Sequence, residues 1–292
     1  MNIVNFGSLN MDFTFRVDQI VRPGQTIDSL GEQSSPGGKG LNQSLALARA
    51  GGRVYHAGAI GEDGLCLKKL LEKDGVDCRF LRVVEGGTGK AFIQVDSSGQ
   101  NCIVLSGGAN RKNTKAFCDE VLDAFGAGDI LLLQNEINCI DYLIEKAFEK
   151  GMTVVLNPSP MNDAVLACDL AKVSIFIMNE DEGMQITGKQ DGEEIIQEME
   201  KRFPEARVIL TLGEKGSVYA YKGERICQGI YEVQPVDTTG AGDTFTGYIL
   251  ACITKGNSMA ECLKWAAKAS AIAVTRKGAA VSIPYEKEVF HE

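Results

Sequence analysis

Short apolar runs alternate with helical periods along most of this chain, and that alternation restricts the folds open to it more than any other feature. Runs at Ile3 to Phe6, Val54 to Ile60, Ile130 to Leu133, Thr153 to Leu156, Ser174 to Met178 and Val208 to Leu210 are short and nearly continuously apolar, as buried strands are. Between them, Leu41 to Arg49 ends at Gly51-Gly52. The stretch after Glu136 sets Ile140, Leu143, Ile144, Ala147 and Phe148 on one helical face before Gly151. Ser258-Met-Ala-Glu261 is a capping-box pattern opening an alanine-rich helix. Such alternation implies an α/β fold with a parallel sheet covered by helices on both faces.

A chain of 292 residues has room for one large α/β domain or two smaller ones. No repeat, low-complexity tract or linker divides it, so one domain over residues 1–292 is expected. Two segments break the rhythm. "MDFTFRV" alternates Phe13, Phe15 and Val17, and "GKAFIQVDSSGQNCIVL" is a hairpin pattern turning at Asp96-Ser-Ser-Gly99. Strands without helices join a covered parallel sheet poorly. They are expected to form a small separate sheet, a lid over the ligand edge from about residues 12–36 and 88–108. The alternative is an extension of the main sheet's edge.

A net charge of −9 argues against nucleic acid or an anionic membrane as partner. Nine cysteines form no C-x-x-C pair, and the two histidines, His56 and His291, are too few for a metal cluster or a Ser-His-Asp hydrolase. The start "MNIVNFG" reads as a strand without leader features, and no span approaches twenty apolar residues, so a cytoplasmic protein is expected.

The segment "VDTTGAGDTFTGYILACI", residues 236–253, carries the sharpest chemical signal. Phe245, Tyr248, Ile249, Cys252 and Ile253 follow a buried-helix spacing, so a helix should begin near Asp243. Its N-terminus, delivered by Gly240, Ala241 and Gly242, offers free backbone N–H groups and the positive dipole end to an anion. Asp243 alone would pass as a helix cap. The same Gly-Ala-Gly-Asp string at 126–129 leads into a strand instead, so context decides. Polar residues also follow four apolar runs or precede a helix: Asn10 and Asp12, Lys39 and Asn42, Glu136, and Asn179. Each could be a turn former or first-turn acid, but ligands of open α/β sheets bind beyond the carboxyl ends of strands, where these sit. "GMQITGKQ" nearly matches a P-loop, yet Gln190 occupies the Ser/Thr position and no strand precedes it.

"GSLNMD", "GGKGLNQ", "QNE", "NPSP", "MNEDE", "TLGEKG", "DTTGAGDTFTG" and "AIAVTRKGA", in this order across nearly the whole chain, resemble the ribokinase branch of the PfkB carbohydrate kinases. The resemblance implies a three-layer α/β/α domain with a mainly parallel central sheet and a small β-sheet lid. It implies ATP-dependent phosphorylation of a pentose, D-ribose at O5 first, with 2-deoxyribose, fructose or a nucleoside as alternative acceptors and a non-catalytic sensor as a rival class.

By the same resemblance, Asp243 is the catalytic base, and the amides of Gly240, Ala241, Gly242 and Asp243 hold the transferring phosphoryl group. Asn10, Met11, Asp12, Gly38, Lys39, Gly40, Leu41, Asn42 and Glu136 match sugar-contacting positions. Asn179, Thr211, Leu212, Gly213, Glu214, Lys215, Gly216, Gly242, Asp243 and Ala267 match nucleotide contacts, and Glu180 is expected near Mg2+ through water. Asp237, Thr239, Ala273, Arg276, Gly278 and Ser282 match a site for K+. Relatives often pair through the lid, and the Phe13, Phe15, Val17 alternation would leave apolar surface bare in a monomer, so a homodimer is expected.

Overall fold

Each apolar run expected to be a strand is one, to within a residue at either end. The computed structural model describes residues 1–290, so His291 lies outside the described residues. The strands are β1 (Ile3–Phe6), β2 (Asn10–Arg16), β3 (Gly31–Gly37), β4 (Val54–Ile60), β5 (Asp77–Val83), β6 (Gly89–Val95), β7 (Asn101–Ser106), β8 (Ile130–Gln134), β9 (Thr153–Asn157), β10 (Ile175–Asn179), β11 (Arg207–Thr211), β12 (Ser217–Tyr221) and β13 (Glu224–Gln228). The helices are α1 (Lys39–Arg49), α2 (Leu65–Lys73), α3 (Lys115–Leu122), α4 (Ile140–Glu149), α5 (Asp163–Leu166), α6 (Glu180–Thr187), α7 (Gly192–Arg202), α8 (Ala241–Thr254), α9 (Met259–Val274) and α10 (Glu286–Val289).

Nine strands form one sheet in the order β13-β12-β11-β10-β9-β8-β1-β4-β5. It is parallel from β5 to β11, and the antiparallel β12 and β13 extend one edge. Alternate strand residues face opposite sides, and two cores result. Ile3, Ile130 and Leu132 pack with α1, α2, α8 and α9. Val4, Leu131 and Leu133 pack with α3, α4, α6 and α7 on the other face. This is the three-layer α/β/α arrangement. The chain runs outward from β1 first toward β4 and later toward β8, so the crevice beyond their carboxyl ends is the topological switch point.

A second sheet has the order β3-β2-β6-β7. Strand β3, "GEQSSPG", has no apolar pattern, and pairing with β2 recruits it; Pro36 is tolerated because β3 is an edge. The β6–β7 turn lies at Asp96, whose carboxylate accepts from the N–H groups of Ser98 and Gln100. The expected bare stripe differs from what is found. Val17 is buried, and Phe13 is half-buried against Phe92, ring centroids 5.7 Å apart. Exposed apolar side chains of this sheet are instead Phe92 on β6 and Ile103, Val104 and Leu105 on the edge strand β7, which is exposed along its length. Strands β5, β12 and β13 carried too little apolar sequence to stand out.

Helix α8 packs directly on α1 at Gly247, where an added Cβ would lie 2.3 Å from the Ala46 Cβ and 2.8 Å from the Leu47 N. That close approach brings the two helix N-termini together. Gly247→Ala is expected to force them apart, destabilising the fold by about 1–3 kcal/mol in urea unfolding, with the loss of any activity that needs α1 and α8 in register.

Candidate active site

Helix α1 begins at Lys39, two residues before the apolar pattern starts, and its first turn lies against the end of β1: an added Cβ on Gly40 would lie 2.3 Å from the Ser8 N. Only glycine allows this approach. Helix α8 begins at Ala241 after Gly240, which adopts φ 77°. The Ala241 N–H donates to the Thr238 carbonyl, and helical bonding starts with the Thr244 N–H to the Gly240 carbonyl. Helix geometry therefore leaves the N–H groups of Gly242 and Asp243 without intrahelical acceptors.

These groups border a cavity of about 220 Å³ lined by Lys39, Asn157, Ser159, Asn179, Glu182, Thr211, Thr238, Thr246 and residues 240–243. Asp243 is buried, with its Oδ2 accepting from Asn42 Nδ2 and its Oδ1 from Gln43 Nε2, both at 2.9 Å. Glu136 Oε2 accepts from the Ser8 hydroxyl and, at 3.0 Å, from the Lys39 N–H. Asn10 is buried and accepts from Asn110 Nδ2 at 2.8 Å. Among the buried side-chain atoms without a hydrogen-bond partner are two acceptors of expected sugar contacts, Asp12 Oδ1 and Asn42 Oδ1. Unpaired buried acceptors are costly, and hydroxyl groups of a ligand would satisfy them.

The charges are interdependent. Burial pushes the Asp12 carboxyl up to about 7, and the Glu136 and Asp243 carboxylates push the same way. Burial works against the Lys39 ammonium, yet the carboxylates of Asp243, Glu136 and Glu182 outweigh it and raise its pKa above the ordinary lysine value. An ammonium beside backbone N–H groups suits a phosphate. Among the described residues no group of three or more His, Cys, Asp or Glu side chains could hold a metal ion by itself. A divalent ion here would need phosphate oxygens among its ligands.

The remaining expected residues divide. Thr211 and Asn179 reach the cavity, whereas 212–216 form a turn beyond β11 and, like Ala267 on α9, do not line it. Leu41 is wholly buried in the core and its N–H is taken by the Ser8 carbonyl; Met11 packs against that core. Glu180 is the first residue of α6 and is turned out of the cavity, while Glu182 lines it and caps the helix by accepting from the Asn179 N–H at 3.1 Å. The spacing in "NEDE" contained this distinction, since residues three apart share a helix face and residues one apart do not. Gln43, Gln134, Asn157, Ser159, Thr238 and Thr246 lie inside the motifs that carry the resemblance but were not singled out as site residues.

Asp237 closes the loop before α8. Its Oδ1 accepts from the Thr239 N–H and its Oδ2 from the Gly278 N–H, both at 2.9 Å. Burial opposes the charge, but these bonds hold the Asp237 carboxyl below its ordinary value. Val236 and Asp237 both donate to the Val274 carbonyl, and Ala279 packs against Gly240. Residues 237–239 and 273–282 therefore meet behind the α8 N-terminus. The Arg276 guanidinium pairs with Glu288, which leaves only its backbone for a cation.

A larger hollow of about 830 Å³ lies at the other end of α1. Its buried charges, Arg49 and Asp74, neutralise each other at 2.7 Å, so it offers no comparable chemistry.

The family model "pfkB family carbohydrate kinase" matches residues 1–286. The ribokinase of Haemophilus influenzae is 34% identical over 97% of this chain and 95% of its own length. Two solved structures superpose closely. Cryptococcus neoformans ribokinase in complex with ADP is 34% identical with a TM-score of 0.85, covering 99% of this chain and 98% of its own. Arabidopsis thaliana ribokinase complexed with ribose and ATP is 33% identical with a TM-score of 0.86, covering 99% and 97%. This chain belongs to the PfkB family of carbohydrate kinases.

Asp12 makes the unliganded fold sensitive to pH. Between the ordinary 3.8 and about 7 the folded state holds a proton that the unfolded chain releases, so this group lowers stability as pH rises through that window. His56, pushed down to about 4 by burial, acts oppositely from about 4 to 6.5. Comparing Asp12→Asn with the parent cancels the histidine. Calorimetry should show the variant's Tm gaining on the parent's by roughly 3–6 °C between pH 5 and pH 8.

Proposed function

We propose that this protein transfers the γ-phosphoryl group of ATP to a pentose, D-ribose at O5, giving D-ribose 5-phosphate. The single observation that carries this reading is Asp243. It is a buried acid in the first turn of α8, beside two N–H groups free for an anion and beside the unpaired acceptors of Asp12 and Asn42. A sensor would have no use for a base in that position. The ribose- and nucleotide-bound relatives support the choice of substrates.

In this reading Asp243 takes the proton of the sugar's primary hydroxyl as that oxygen attacks the γ-phosphorus, and the bond to the β-phosphate oxygen breaks. The N–H groups of Gly242 and Asp243, with the Lys39 ammonium, face the charge that develops on the transferring group. Asn10, Asp12, Asn42 and the free oxygen of Glu136 supply the mixed donors and acceptors that a polyol needs. Gly38 and Gly40 let the α1 N-terminus reach it. Asn179 and Thr211 serve the nucleotide at the cavity, with residues 212–216 and Ala267 farther along.

Mg2+ bound with the nucleotide would neutralise phosphate charge, and Glu182, in place of the expected Glu180, is the carboxylate positioned to hold its waters. The oxygen donors of the 237–239 and 273–282 segments suit a hard monovalent cation such as K+, which would stiffen the loop presenting the amides. The exposed Phe92, Ile103, Val104 and Leu105 favour a homodimer through the smaller sheet. Neither nucleic acid nor membrane fits the acidic charge, and among the described residues no helix is long and apolar enough to cross a membrane. Nine unpaired cysteines suit the reducing cytoplasm.

ADP release should depend on D-ribose and run faster in potassium than in sodium buffer, with 2-deoxyribose, fructose and adenosine slower. Release with another acceptor alone would keep the kinase and discard ribose, and no release would discard the kinase. Asp243→Asn should bind ATP yet lose roughly 10²- to 10⁴-fold in kcat. Light scattering at micromolar concentration should give twice the 31.5 kDa chain mass, falling to one for Val104→Lys.

A further inference from the structure

Gln43 stands next to the expected sugar contact Asn42 on α1, and the mechanism above does not use it. Its side chain is wholly buried between Asp243 and the sheet. Nε2 donates to Asp243 Oδ1 and to Asn157 Oδ1, both at 2.9 Å, while Oε1 accepts from Gln134 Nε2 at 2.7 Å. Gln134 gives its other N–H to Asn5 Oδ1 at 2.9 Å. Asn5 Nδ2 donates to the Gly40 carbonyl and to Ser44 Oγ, each at 2.8 Å. The Ser44 hydroxyl, an acceptor there, is left to donate to His56 Nδ1, 2.8 Å away.

A carboxylate only accepts, so an ionised Asp243 sets the direction of every bond in this series, and each amide has one allowed orientation. Asn157, Gln134, Asn5 and His56 belong to β9, β8, β1 and β4, four adjacent strands. The series is thus fixed to the stiffest part of the molecule. An apolar core of equal volume would serve packing alone without such cost, for Gln134 Oε1 is buried with no partner.

We infer that Gln43 is a positioning residue for phosphoryl transfer: its amide, oriented by Gln134 and Asn5, grips the inner oxygen of Asp243 and so aims the carboxylate at the acceptor hydroxyl. This rests on Asp243 being the base. Asn42 binds the outer oxygen from the sugar side, so Gln43 supplies the restraint that does not depend on whether sugar is present.

A kinetic cycle of Gln43→Met, Asp243→Asn and the double variant tests it. Gln43→Met should lose roughly 10- to 100-fold in kcat, with KM for ribose and ATP within about 3-fold of the parent. In the Asp243→Asn background the same change should cost nothing further, because Gln43 acts through that carboxylate. Unchanged kcat in Gln43→Met, or an equal loss in both backgrounds, overturns the inference. Full turnover in Asp243→Asn would instead overturn the base assignment. Should Gln43→Met fail to fold, Gln43→Asn keeps a polar amide in the core, is one methylene too short to reach Asp243, and enters the same cycle with the same criteria.

Discussion

A buried carboxylate at the meeting point of two helix N-termini is the constraint on which the rest of this structure depends. Asp243 sits in the first turn of α8 and is bound by Asn42 and Gln43 from the first two turns of α1. An uncompensated charge there would cost several kcal/mol, so both dipoles and both amides must stay in place. They stay because α1 and α8 approach to backbone contact at Gly247 and because Gly40 lies against the end of β1. The packing of one face of the sheet and the chemistry at its edge are one problem with one solution.

The acidic character of the protein fits this design. With a net charge of −9, the fold cannot attract polyphosphate through bulk charge. In the proposed reaction backbone N–H groups and one lysine would do that work locally, and Lys39 is kept charged by the carboxylates around it. The same carboxylates press on Asp12, which is held in a site where its charge is unwelcome until a ligand offers hydrogen bonds. Stability is thus given up at the site, as expected where function opposes folding.

Much of this was legible in the chain. The parallel strands announce themselves because a strand buried on both faces has few polar residues, and the α8 start is legible because a glycine turn precedes an apolar helical period. Asp243, Asn42, Lys39 and Glu136 were singled out as candidates through their places at strand and helix ends. Strand β3 was not legible, since it owes its conformation to pairing with β2 earlier in the chain and to no pattern of its own. Glu182 was passed over for Glu180, although helical spacing separates their directions. Gln43 and Gln134 stand in the motifs GGKGLNQ and QNE but gave no sign of their role, because an amide in an apolar context looks like any polar surface residue until its partners are known.

Local order in the sequence, the period of its apolar residues and the glycines before its helices, determined the layers and the site's edge of the sheet, and its run of short motifs carried the family resemblance. Only the tertiary structure decided which oxygens are paired and which are bare, and which of two neighbouring glutamates lines the cavity. It also decided that five side chains from distant segments form one directed series ending on Asp243. The reason is physical. Periodicity reports which face a residue takes, whereas hydrogen-bond direction and burial of charge depend on distant groups, 201 positions apart for Asn42 and Asp243, brought together only when the sheet and its helices close.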